Sequence, residues 1–216
     1  MIVSMWMTRN PITIEPATSL TEAASIMAGK HIRRLPVVKQ QARIIHPVGI
    51  ITATDILHAY PPEINPFAVA APDTKQGGIR AEDIMSRALQ TVSPETPIEE
   101  AARIMRNEKI STLLVMQKGS LAGLITESDI FRVFVSIFAS PGGGVRLTFA
   151  VGGQEDVFRI IAPVALRWDV RIVSMISVVQ EGRNLCVVRI AGSAVDEMLK
   201  ELWSSGHSVL NVLRQT

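Results

Sequence analysis

Along the first 139 residues the apolar and polar positions follow the same course twice. In each stretch a short β-rich pair, Thr13-Ile14 or Thr91-Val92, precedes apolar residues spaced i, i+3, i+4 and i+7. These are Leu20, Ala23, Ala24 and Met27 in the first copy, and Ile98, Ala101, Ala102 and Met105 in the second. That spacing leaves one stripe of a helix apolar and predicts two half-buried helices. Two β-rich runs come next, residues 35–38 and 48–51 in the first copy and 113–116 and 121–125 in the second, and a further helix opens at a Thr-x-x-Asp. Each copy therefore reads βαββα. Ser19 with Glu22 offers a capping pair to the first helix. Its counterpart is expected to be capped by Thr96, with Pro97 at the first helical position and Glu99 completing a capping box.

The repetition extends to individual residues. A displacement of 78 sets Met7 on Met85, Arg9 on Arg87, Pro16 on Pro94, Glu22 on Glu100 and Leu35 on Leu113. Past Val37 the displacement falls to 74, because residues 40–47 form a segment four residues longer than the one near Lys118. A length change of that kind is expected in a surface loop. Gly49, Thr52 and Asp55 then meet Gly123, Thr126 and Asp129. One copy of about 55 residues buries too little surface to stand alone, so the two are expected to pack sheet to sheet as one domain.

The pattern changes at Ser140-Pro141-Gly142-Gly143-Gly144, which cannot continue a helix and reads as a flexible joint. Beyond it come a strand at 146–151, a helix at about 155–167, strands at 170–179 and 185–190 joined by a turn at 181–184, a helix at about 194–204 and a strand at 208–213. This βαββαβ order fits a ferredoxin-like sandwich with both helices on one face of an antiparallel sheet. Its other face calls for cover, most simply by a second copy of the chain. The whole is thus α+β.

Composition narrows the function classes. At 47% hydrophobic and 19% charged, the chain is apolar enough to fold. A net charge of +2, with 22 basic residues scattered among 20 acidic ones, argues against nucleic acid and against a membrane surface. Cys186 sits in an apolar strand pattern and reads as a core residue. The first residues lack the pattern of a secretory leader, and the apolar run at 133–139 is far shorter than a spanning helix, which predicts a cytoplasmic protein. His31, His46, His58 and His207 lack companion ligand spacings, so no metal is expected, and no nucleophile elbow or other catalytic constellation is present. The Met5-Trp6-Met7 cluster, Trp168 and Trp203 read as core or interface fillers. Residues 58–78 hold four prolines and form a linker, in which Phe67-Ala68-Val69-Ala70 could dock on another subunit.

The repeated closing motif carries the candidate chemistry. Gly49 and Gly123 lack a side chain that would block backbone approach to a ligand. Helix starts at Thr52 and Thr126 are expected to offer free N–H groups to a phosphate. Asp55 and Asp129 can each accept both hydroxyls of a ribose. The competing reading is that Thr-x-x-Asp is a capping box and nothing more.

Both copies resemble cystathionine-β-synthase (CBS) domains, which occur in pairs and bind adenine nucleotides between their sheets. The resemblance covers residues 1 to about 139. It rests on residues 3–7, on Asn10-Pro11-Ile12-Thr13, on the run from His31 through Ile32, Arg33, Arg34, Leu35, Pro36 and Val37 to Val38, and on both closing motifs. It implies nucleotide-binding roles for Ile12, Thr13, Arg33, Arg34, Pro36, Thr52 and Asp55, and for their counterparts Thr91, Val92, Ser111, Thr112, Thr126 and Asp129. The first copy carries Arg33 and Arg34 where the second has Ser111 and Thr112, which predicts that the first site prefers more phosphate. Because neighbours on a strand point to opposite faces, one arginine can equally be a surface charge.

The last segment resembles an ACT domain, and a CBS pair followed by ACT is the arrangement of acetoin-utilization AcuB-type proteins. Gly152-Gly153-Gln154-Glu155-Asp156 does not reproduce the Asp-x-x-Gly order of amino-acid-binding ACT domains, which favours a dimerisation unit over an effector site. The implied boundaries are 1–60 and 79–139 for the CBS domains, 61–78 for the linker and 145–216 for the ACT-like domain. The implied function is a non-catalytic cytoplasmic homodimer sensing AMP, ADP or ATP, with no catalytic cofactor and with an unidentified protein partner. A constitutive scaffold with unoccupied clefts, or amino-acid sensing through the last domain, stands as the alternative.

Overall fold

In the computed structural model, which describes residues 1–41, 44–60, 66–67, 78–138, 144–152, 156–205 and 209–215, the chain divides into two compact units, Met1–Val133 and Phe134–Thr216. Ser19 starts the first long helix, α1 (Leu20–Lys30), by accepting the Glu22 N–H on its Oγ at 3.2 Å. The apolar stripe Leu20, Ala23, Ala24 and Met27 is buried as the spacing requires. Its counterpart α4 (Ile98–Glu108) begins differently. Pro97 is the cap, and Thr96 instead accepts the Ser93 N–H at 3.0 Å, closing the preceding turn, so the expected Thr96 cap is not formed.

After α1 come β2 (Arg34–Gln41), β3 (Ile44–Thr52) and α2 (Ala53–Ala59); after α4 come β5 (Thr112–Gln117), β6 (Ser120–Thr126) and α5 (Glu127–Phe138). Each copy opens on an extended pair: Ile14 bridges in parallel to Val37, and β4 (Thr91–Val92) pairs in parallel with β5. Both hairpins carry a register shift at equivalent places, between Val37 and Val38 and between Val115 and Met116. Residues 40, 41 and 44–47 of the expected loop in the first copy are strand. Gln40 stands opposite Ile45 and Gln41 opposite Ile44, and the ladder gains backbone hydrogen bonds by continuing past Lys39.

The lead-in segments exchange between copies. Strand β1 (Thr8–Arg9) joins the second sheet, Thr8 facing Leu124, and Ser86, two residues after the short helix α3 (Ala81–Ile84), bridges to Ile50 of the first. The first residues follow the same rule, since the Val3 N–H donates to the Thr96 carbonyl at 2.9 Å. Between the sheets, Val38, Ile45 and Ile50 meet Leu114, Met116, Leu121 and Leu124, which is the sheet-to-sheet packing the repeat predicted. Val38, Leu114, Leu121 and Leu124, the buried members, each contribute about 1.5–3 kcal/mol.

In the second unit, β7 (Gly144–Val151), α6 (Val157–Arg167), β8 (Arg171–Gln180), β9 (Arg183–Ala191), α7 (Val195–Ser204) and β10 (Val209–Gln215) follow the expected βαββαβ order. The sheet runs β10-β7-β9-β8 with every neighbour antiparallel. Val145, Leu147, Phe149, Cys186, Val188 and Ile190 alternate toward the helices, while Ile176, Val178, Leu185 and Val187 lie on the other face, with Val178 exposed. Glu181 and Gly182 turn β8 into β9 at φ 50° and 76°, both left-handed, and the glycine adopts that conformation at no steric cost. Asp156 caps α6 through Oδ1 to the Phe158 N–H at 3.0 Å. The joint at 140–143, most of the 61–78 linker and residues 153–155 of the Gly152 to Asp156 turn lie outside the described residues.

Candidate functional site

Two clefts open in the first unit, at the points where β3 passes into α2 and β6 into α5. At the first, the Asp55 Oδ2 accepts the Thr52 N–H at 2.7 Å and the Thr52 hydroxyl at 2.8 Å, while the Asp55 N–H donates to Thr52 Oγ1 at 3.2 Å. At the second, Asp129 Oδ2 accepts the Thr126 N–H at 2.9 Å and its hydroxyl at 2.8 Å, with the Asp129 N–H 3.4 Å from Thr126 Oγ1. The motif is therefore a capping box in both copies. It leaves each carboxylate with one oxygen outside the cap.

Those outer oxygens differ. Asp129 Oδ1 accepts from Arg132 at 2.9 Å, and the same guanidinium donates to the Trp6 carbonyl at 2.8 Å and lies 5.8 Å from the Trp6 ring centroid. At the equivalent of Arg132 stands the exposed His58, and Asp55 Oδ1 has no partner among the described residues. Asp129 is correspondingly the more enclosed, at 8% exposure. Sequence reasoning missed Arg132 and set Trp6 aside as a filler. The pairing is visible only once the lead-in segment is known to cross to the second copy.

The helix-start amides are also partly engaged. The Ala53 N–H donates to the Arg33 carbonyl at 2.9 Å and the Glu127 N–H to the Ser111 carbonyl at 3.2 Å. Of the first three helical amides only those of Thr54 and Ser128 remain for a ligand among the described residues, fewer than the sequence suggested.

Each cleft is built from both copies. The larger, about 520 Å³, sets Thr126 and Asp129 against Thr8, Asn10, Ile12, His31, Arg33 and Arg34. The smaller, about 270 Å³, sets Thr52 and Asp55 against Ser86, Gln90, Lys109, Ser111 and Thr112, with Arg34 again at the wall. His31 and Lys109 occupy equivalent left-handed C-caps, at φ 54° in both, which bring one basic side chain to each cleft. Of the grouping of Arg33 and Arg34 with Asp55 that the repeat suggested, only Arg34 shares a cleft with Asp55. Arg33 joins Asp129, and Arg34 stands between the two clefts. Thr13, Pro36, Thr91 and Val92 line neither cleft: Thr13 borders a separate groove beside α1, Pro36 and Val92 are buried in the sheets, and Thr91 is paired to Leu114.

Arg34 is half-buried and donates to Ser111 Oγ at 2.5 Å. Burial draws its pKa below the usual guanidinium value, with Glu127 opposing, Arg33 adding to the fall and Asp129 opposing. Thr112 Oγ1, of a residue that lines the smaller cleft, is buried without a hydrogen-bond partner among the described residues. The arrangement can thus accept hydroxyls on a carboxylate and an anion on a guanidinium in one enclosed space.

Neither glycine of the repeated motif lines a cleft. A Cβ on Gly49 would stand 2.3 Å from the Met85 sulfur, and one on Gly123 would stand 2.6 Å from the Thr8 carbonyl oxygen. Both glycines admit the crossing lead-in segment rather than a ligand, which corrects their reading as points of ligand approach. Among the described residues no group of three or more His, Cys, Asp or Glu could hold a metal, and no helix is long and apolar enough to cross a membrane.

Residues 3–62 and 81–136 match the family described as CBS domain. An inosine-5'-monophosphate dehydrogenase from Aquifex aeolicus (strain VF5) is 32% identical over 169 residues, 76% of this chain and 31% of its own length. A homoserine O-acetyltransferase from Methanohalobium evestigatum is 32% identical over 132 residues, 61% of this chain and 24% of its own. The chain spans about a third or less of either relative. Among solved structures, the CBS domain pair of protein MJ0100 in complex with 5'-methylthioadenosine and S-adenosyl-L-methionine is 28% identical, with a TM-score of 0.51 over 63% of this chain and 97% of its own. A putative acetoin utilization protein (AcuB) from Vibrio cholerae is 25% identical, with a TM-score of 0.51 over 65% of this chain and 98% of its own. CBSX2 in complex with AMP is 26% identical, with a TM-score of 0.51 over 64% of this chain and 98% of its own.

Proposed function

Because the chain belongs to the CBS domain family, we propose that it is a non-catalytic sensor of adenine nucleotides, working as a cytoplasmic homodimer that passes its ligand state to a partner through a change in packing. The observation that carries this reading is the pair of composite clefts, each with a cap-oriented carboxylate facing basic or hydroxyl side chains from the other copy. In the larger cleft Asp129 takes the ribose hydroxyls, Thr126 and the Ser128 amide face the phosphate, and Ile12 and Arg33 border the base and phosphates. In the smaller, Asp55 and Thr52 take the same parts, with Ser111 and Thr112 opposite. The larger volume, with Arg33 and His31 at its wall, suits ADP or ATP, and the smaller suits AMP. Adenosine ligands in two similar CBS pairs support the choice of ligand class.

The second unit is assigned as an ACT-like dimerisation unit. Its βαββαβ topology and the apolar sheet face bearing Val178 and Leu185 support that role. A ligand moves such a protein only by binding one arrangement more tightly than another.

Thermal-shift measurements with AMP, ADP, ATP and S-adenosylmethionine test the reading. Ligand at about 100 times its Kd stabilises a protein by about 2.7 kcal/mol, so a bound nucleotide raises the Tm. Unchanged melting with all four favours the constitutive scaffold.

A further inference from the structure

We propose that Arg34 couples the two clefts, so that a phosphorylated nucleotide in one weakens the binding of a phosphorylated nucleotide in the other; this rests on the adenylate reading above. Among the described residues, Arg34 alone lines both clefts. Its guanidinium is tied to Ser111, a wall residue of the smaller cleft contributed by the second copy, while Glu127 and Asp129 of the larger cleft act on its charge.

The repeat duplicated the cleft but not this cation. Arg34 has Thr112 as its counterpart, and Arg33 has Ser111, so the second copy brings two hydroxyls where the first brings two guanidiniums. Arg33 lines the larger cleft only, and Lys109 the smaller only. A guanidinium holds a phosphate best through two parallel N–H bonds from one edge of its planar fork, and a second phosphate in the other cleft must share its single positive charge. Drawing Arg34 toward one cleft costs it the Ser111 bond or its place beside Glu127. The half-buried position also leaves its charge less screened than a surface charge would be. Two anionic ligands therefore compete for one group, and the penalty is reciprocal between the clefts.

Calorimetric titration with AMP measures this on the full chain. Asp129→Asn and Asp55→Asn each leave one working cleft and give its affinity with the neighbour empty. In the wild-type chain the second AMP is expected to bind at least about fivefold more weakly than the corresponding single-cleft variant reports. Arg34→Met, which keeps the aliphatic stem, should bring the two values within about twofold when added to all three chains; Arg34→Gln serves as a second substitution should the first fold poorly. Independent sites in the wild-type chain, or coupling that survives both substitutions, overturn the proposal and leave nucleotide binding standing. Absence of AMP binding in every chain overturns the nucleotide reading, and the coupling with it.

Discussion

The Met85 side chain lies so close over Gly49 that a Cβ on the glycine would stand 2.3 Å from its sulfur, and Met7 with the Thr8 carbonyl stands in the same relation to Gly123. These glycines hold the two copies together by letting each lead-in segment lie on the other's sheet. At Gly49 the obstacle is a side chain, which can move. At Gly123 it is also the Thr8 backbone oxygen at 2.6 Å, which can move only with β1. Gly123→Ala is expected to cost about 3 kcal/mol and Gly49→Ala about 1 kcal/mol, the upper and lower ends for overpacking. Urea unfolding followed by circular dichroism checks the order.

Asp129 should matter more to stability than Asp55. Both cap a helix, but only Asp129 also holds Arg132, which ties α5 to the Trp6 carbonyl. Loss of a cap costs about 1 kcal/mol. Asp129→Ala is expected to exceed Asp55→Ala by about 0.5–1 kcal/mol, since the Arg132 guanidinium is largely exposed. In an Arg132→Ala background the difference should vanish.

Arg33 belongs to the cleft closed by Asp129, although it stands immediately before β2 in the copy that carries Asp55. With Asp55→Asn as background, Arg33→Ala should lower ATP affinity about tenfold, the loss of one charge-assisted bond. With Asp129→Asn as background it should leave affinity unchanged. The two titrations together separate composite clefts from clefts contained in one copy.

In the second unit, Arg214 of β10 donates to Asp196 of α7, and this bond, with the positive charge, holds the Asp196 pKa below the usual carboxylate value. A depressed carboxylate stabilises the fold above its unfolded pKa, and that contribution disappears as pH falls through the folded pKa. The Tm difference between wild type and Asp196→Asn should therefore be small but positive at neutral pH. It should shrink toward zero in acid and, because the pair is exposed, in molar salt.

Local pattern made most of the elements legible. The i, i+3, i+4, i+7 stripe gave α1 and α4, and Ser19 with Glu22 gave the start of α1. Thr96 misled because a Thr three residues after Ser93 closes a turn as readily as it caps a helix. Residues 40, 41 and 44–47 of the expected loop are strand because a hairpin gains ladder bonds whenever its flanks can pair, and Gln40 and Ile45 do. The closing motifs were visible as residues, but their partners were not. That Thr8 pairs with Leu124, 116 positions away, has no local signature, and it is this exchange that sets Arg33 opposite Asp129. The displacement that placed Met7 on Met85 contained the clue, since a lead-in repeated with its domain has a structural task in both copies.

The central claim is that the two outer carboxylate oxygens, at Asp55 and Asp129, each hold a nucleotide. Asparagine keeps the cap acceptor and turns the outer oxygen into a donor, so Asp55→Asn and Asp129→Asn separate capping from ligand binding. The account predicts two AMP molecules per wild-type chain by calorimetry, one for either single variant and none for the double, with every chain folded. AMP binding that the double substitution leaves unchanged, or no binding to the wild-type chain, would contradict it.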